Sequence, residues 1–111
     1  MTLQELREIL REAAGIPVAH YKTQLTERPY IVWRELATRY DFAGGRAWRE
    51  ITNVSIDHFT DEEWDATVDK LKKALLKHKI NFTTTVIWYE DDEIIHTQFD
   101  LAIAREMEVG G

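Results

Sequence analysis

Cysteine is absent from this 111-residue chain, so neither a disulfide nor a thiolate metal site holds it together, and thiol oxidation cannot regulate it. The absence fits a protein made in a reducing cytosol. There is no phosphate-binding Gly-rich loop, no HExxH and no GxSxG, so the usual signals of nucleotide, zinc-protease and serine-hydrolase chemistry are missing. Long apolar runs are missing too. The opening eight residues carry charges every few positions, where a signal peptide needs an unbroken apolar stretch, so we expect neither a secreted precursor nor a membrane protein. No excess of basic residues exists to neutralise phosphates: the formal charge is −6, which argues against general nucleic-acid binding. With two prolines and five glycines, the chain shows no internal repeat and no low-complexity segment.

What is present suits one self-sufficient domain over residues 1–111. Hydrophobic residues make up 44% and aromatics 11%, with four Trp, enough apolar surface to close a core without staples. Leu3, Leu6, Ile9, Leu10, Ala13 and Ala14 recur at helical spacing, with Thr2 placed to cap that helix and Gly15 to end it. A short strand follows at Val18, then a polar loop over residues 22–27, then a strand opened by Pro29 over residues 30–36. Residues 38–46 contain Gly44-Gly45 and read as a turn or extended hairpin. Residues 48–59 alternate as a half-buried strand, with Val54, Ile56 and His58 on one side.

Thr60-Asp61-Glu62-Glu63 matches a capping box and predicts a second helix starting there, with Trp64, Val68, Leu71 and Leu75 as its buried stripe. Residues 81–89 and 94–104 predict a closing antiparallel hairpin, and residues 105–111 a frayed tail. The expected fold is α+β, a largely antiparallel β-sheet packed with two amphipathic helices in the order α-β-β-β-α-β-β.

Charge is unevenly placed. Residues 22–50 carry a net of +2, residues 51–111 a net of −7, an asymmetry that would let copies pair head to tail. Within the basic part, Tyr40, Phe42 and Trp48 lie among Arg39, Arg46 and Arg49, the usual composition of an interface hot spot. We take these six as the candidate interface residues. The exposed charges would set orientation, at about 0–1 kcal/mol per pair, and the aromatics would supply affinity. Glu90-Asp91-Asp92-Glu93 reads as a solvated hairpin tip, since a calcium loop would need a turn glycine that is absent. His58 and His96 could meet across a sheet, and with Asp57 they are the only candidates for a hydrolase site. We expect no catalytic residue, no cofactor and no metal.

Five segments carry a resemblance over nearly the whole chain: Met1-Thr2-Leu3-Gln4-Glu5-Leu6-Arg7-Glu8-Ile9-Leu10, Gly15-Ile16-Pro17-Val18-Ala19-His20-Tyr21, Pro29-Tyr30-Ile31-Val32, Asp41-Phe42-Ala43 and Val54-Ser55-Ile56-Asp57-His58-Phe59-Thr60. In that order they resemble the small tail-completion proteins of long-tailed bacteriophages and prophages. The chain departs from that pattern in a short loop after Lys22, in Gly44-Gly45 where a more acidic stretch is usual, and in Phe59 where Tyr is more usual. The resemblance implies an α+β subunit that assembles as a ring, with a hexamer as the size to test, capping the tail tube and forming the surface joined to the head. Its implied partners are its own copies, the tail-tube protein and the head–tail connector protein, first in the bacterial host cytoplasm and then in the virion tail. No sequence-specific nucleic acid, membrane or small-molecule substrate is implied. The other reading open at this point is a monomeric protein-binding adaptor or host-directed regulator encoded by a prophage.

Overall fold

The Thr2 side chain accepts a hydrogen bond from the Glu5 N–H (3.1 Å), and helix α1 runs Leu3–Ala14 until Gly15 turns left-handed at φ 66°. The apolar stripe does what its spacing predicts: Leu6, Leu10 and Ala14 are its buried residues. The computed structural model describes residues 1–21 and 27–107, and within them the chain continues as β1 (Val18–His20), β2 (Tyr30–Ala43), β3 (Arg46–Thr60), α2 (Ala66–Lys77), β4 (Phe82–Tyr89) and β5 (Ile94–Glu106). This is the expected order and the expected α+β class. The polar loop predicted over residues 22–27 lies, except for Glu27, outside the described residues.

One five-stranded sheet is formed in the order β1-β2-β3-β5-β4, antiparallel throughout except for the parallel β1–β2 pair. Trp33, Ile56 and Phe99 stand in one row across β2, β3 and β5, and with Ile31, Val54 and Leu101 they meet Leu6, Leu10, Leu71 and Leu75 of the two helices. Both helices therefore cover the same face of the sheet. The alternation of core residues along each strand follows from the two-residue repeat of the pleat.

Helix α2 corrects the capping-box reading. Thr60 is the last residue of β3, paired with Ile95, so its backbone is committed to the sheet. The helix starts six residues later with Asp65 as its N-cap, whose Oδ1 accepts from the Thr67 N–H (2.9 Å). Thr60 still serves the turn: its hydroxyl donates to Asp65 Oδ2 (2.8 Å) and accepts from the Glu62 N–H (3.2 Å). Trp64 then falls outside the helix, at φ 59° and 96% exposed, rather than in the buried stripe, which consists of Thr67, Leu71 and Leu75.

Of the two readings of residues 38–46, turn or extended hairpin, the structure shows the extended hairpin: β2 and β3 pair all the way to Ala43 and Arg46, leaving a two-residue turn in which Gly44 and Gly45 both have positive φ (60° and 76°). That combination is the one required by the tight hairpin turn that matches strand twist, and it is open to glycine without strain. One further expectation changes: a frayed tail does not begin at residue 105. Arg105 and Glu106 pair with Glu50 and Arg49, and the Met107 N–H donates to the Trp48 carbonyl (2.9 Å); residues 108–111 lie outside the described residues.

Candidate functional site

Extending β2, β3 and β5 together produces an arm. The molecule measures 53 × 25 × 24 Å, and the helical layer stops near Ala104, whose carbonyl accepts from the Met1 ammonium group (3.2 Å). No member of the core cluster lies between Trp33 and Val54 or beyond Ile103. Beyond the buried Ile51 and Thr52 the arm is built from cross-strand pairs rather than from burial, with register shifts at Leu36 and Trp48 that place one extra residue on one strand each time.

All six candidate interface residues sit on this arm. Arg49 donates from Nε and Nη2 to Asp41 Oδ2 (2.9 and 2.5 Å), Arg39 Nη1 donates to Asp41 Oδ1 (3.2 Å), and the Arg49 guanidinium lies 4.9 Å from the Trp48 ring centroid. Asp41 and Trp48 therefore hold Arg49 in place, and Trp48 is half-buried. Along β2 the alternation sends Arg39 and Asp41 to one face and Tyr40 and Phe42 to the other. Tyr40 is 46% and Phe42 67% exposed, with no core of their own to enter. Arg46 closes the tip opposite Ala43.

The sequence matches no protein-family model and shows no significant similarity to a curated protein. Function has to be read from the surface itself.

The suggested hydrolase trio is divided between the two faces of the sheet. His96 pairs with Phe59 and His58 with Thr97, which puts the two imidazoles on opposite sides, so they do not meet. Asp57 and His96 do meet, on the face without helices: His96 Nε2–H donates to Asp57 Oδ1 (2.6 Å), which leaves Nδ1 to accept from the Tyr89 hydroxyl (3.0 Å). The Ser55 hydroxyl donates to Asp57 Oδ2 (3.3 Å) rather than to the imidazole, so the hydrogen bond from nucleophile to base that acyl transfer uses is not made. The Phe59 ring stacks on His96 at 4.4 Å. This chain of partners satisfies polar groups that a half-covered sheet would otherwise bury unpaired. Among the described residues no group of three or more His, Asp or Glu could hold a metal ion. No helix among them is long and apolar enough to cross a membrane.

On the helix side His58 is fully buried, and neither ring nitrogen has a hydrogen-bonding partner; its Nε2 lies 3.7 Å from Asp65 Oδ2. Burial holds its pKa below the usual 6.5, with Asp65 opposing the fall and His96 adding to it. Burial alone would raise the Asp65 pKa, yet hydrogen bonds from Thr67 and the Thr60 hydroxyl keep it below the ordinary carboxylate value. Because His58 is neutral in the fold while the unfolded chain gains a proton below about pH 6.5, its contribution to stability is complete above that pH. It is lost as pH falls toward the folded pKa. Urea unfolding at pH 7 and pH 5 should show a loss of at most about 2 kcal/mol from this group, and His58→Leu should flatten the slope and be the more stable protein at pH 5. An unchanged slope in that variant would place the acid sensitivity elsewhere.

Periodicity did not reveal a second exposed patch. Val86 and Trp88 lie on the helix side of β4 but are 66% and 55% exposed, and Trp64 stands beside Val86 across a cleft. The helical layer covers β4 only in part: Phe82 packs against the core cluster, whereas Val86 and Trp88, further along the same face of that strand, do not.

Proposed function

We propose that this chain is a structural subunit of a bacteriophage-type tail, assembling as a ring that caps the tail tube and joins it to the head. The observation that carries this reading is the arm: a three-strand extension whose basic, aromatic tip, residues 39–49, contributes no member of the core cluster. Residues with that make-up are the ones that anchor protein interfaces. The acidic remainder suits the same role, because like charges would keep passing DNA from adhering to a lumen wall. The order of segments resembling tail-completion proteins supports it from the sequence side.

Deleting the gene from its prophage should give tails of irregular length or tails that fail to join heads. Uniform, infectious particles would overturn the role. In parallel, the purified chain should be retained by assembled tail tubes. Retention by a host protein, with none by tubes, would favour the monomeric adaptor or regulator instead.

A further inference from the structure

The receiving surface for the arm is the question the ring reading leaves open, and the cleft between α2 and β4 has the required chemistry. Trp64, Val68, Val86 and Ile95 line a cleft of about 430 Å³. Trp64 is 96% exposed and sits at φ 59°, so a large aromatic is held in water on a backbone conformation that bulky residues seldom adopt. Val86 and Trp88 continue the apolar surface along β4, which has a strand neighbour on one side only. Among the described residues nothing covers these three side chains. Apolar patches of this kind on soluble proteins mark places where another surface docks.

Charge selects the occupant. The titratable residues lining the cleft are Glu62, Asp65 and Asp69, all acidic, and the turn after β4 adds Glu90, Asp91, Asp92 and Glu93. The arm tip over residues 39–49 carries Arg39, Arg46 and Arg49 against Asp41 alone, a net of +2, with Phe42 and Tyr40 exposed on the face opposite Arg39 and Asp41, so a tip inserted into a cleft presents aromatics to one wall and arginines to the other. Aromatic and basic on one side therefore face apolar and acidic on the other. The two-residue Gly44-Gly45 turn keeps the tip narrow enough to enter a cleft, with no side chain at its end.

Geometry then requires that the contact be between copies. The tip is at the start of β3 and the cleft at its end, beside Thr60, and fourteen steps of extended chain separate them by roughly 46 Å. A chain cannot fold its own arm into its own cleft. Two different surfaces at opposite ends of one subunit make a heterologous, head-to-tail contact, the kind that closes into a ring or continues as a filament.

We propose that the arm tip of one copy seats in the α2–β4 cleft of the next, with Phe42 against Trp64 and Val86 and with the tip arginines against Glu62 and Asp69. This rests on the self-association in the ring reading and adds the receiving residues. Phe42→Asp disables the tip and Val86→Asp disables the cleft; both positions are two-thirds exposed, so both variants should keep the wild-type circular dichroism spectrum. Trp64→Asn is a second cleft variant, replacing Trp by a residue that accepts the left-handed backbone.

In sedimentation velocity at low salt, wild type should associate with increasing concentration, and each variant alone should bind itself at least about tenfold more weakly. A mixture of Phe42→Asp and Val86→Asp should form a one-to-one dimer and stop there, because the pair retains one intact tip and one intact cleft. If the mixture stays monomeric, the contact is not tip to cleft. If both cleft variants associate like wild type while Phe42→Asp does not, the arm binds elsewhere, and this inference fails while self-association through the arm survives. A wild type that remains monomeric throughout overturns both.

Discussion

Removing residues 40–43 and 46–50, so that Arg39 and Ile51 flank the Gly44-Gly45 turn, should leave a chain that folds cooperatively but no longer self-associates. Arg39 and Ile51 are cross-strand partners, so the shortened hairpin keeps register, and the two glycines already have the positive φ values that a two-residue loop demands. The deletion takes no member of the core cluster. It removes cross-strand pairs worth about 0.2–1 kcal/mol each, together with the Asp41–Arg49 pair and the Arg49–Trp48 contact. Association should weaken by more than about 100-fold, the scale of losing two or more anchoring residues at once. Thermal melting and sedimentation velocity on the same sample give the answer. A chain that no longer folds would make the arm part of the folding unit rather than an extension from it.

The second large effect separates two aromatics on the same face of the sheet. Phe99 is fully buried beneath the helices, with the Phe82 ring 5.8 Å away, and Phe99→Ala should cost about 3–5 kcal/mol. Against a total stability of about 5–15 kcal/mol that is a large part of the whole, and it corresponds to a fall in Tm of roughly 12–20 °C. Trp88 points to the same side from the neighbouring strand but is 55% exposed. Trp88→Ala should cost less than about 1.5 kcal/mol in urea unfolding while weakening self-association. The opposite ranking would mean that β4 is covered and Phe99 is not, contrary to the cleft described above.

Local order was legible in the residues alone. The Thr2 cap, the Leu6–Leu10 stripe, the alternation of Val54, Ile56 and His58, and the closing hairpin around residues 90–93 all follow from backbone repeats spanning a few positions. The gathering of aromatics and arginines in one segment was also legible. Their setting was not: a Gly-Gly pair reads as a turn whether its strands end at once or run on. How far β2 and β3 pair depends on β5 coming alongside, more than fifty residues further on.

The sequence by itself determined which segments become helix or strand, and a segment of opposite charge sign to the rest, because dihedral preference, side-chain spacing and ionisation are properties of neighbouring residues. Tertiary structure alone decided what each exposed group faces. Thr60 fits a capping box equally well until pairing with Ile95 commits it to β3 and moves the helix start to Asp65. Trp64 then falls outside the stripe its spacing suggested. His58 and His96 look alike in sequence, and the parity of the sheet sends one into the core without a partner and the other to Asp57 and Tyr89. Whether Val86 and Trp88 are core or exposed depends on how far the helical layer reaches along β4 beyond Phe82. That is a matter of widths and distances between elements, which no local pattern contains.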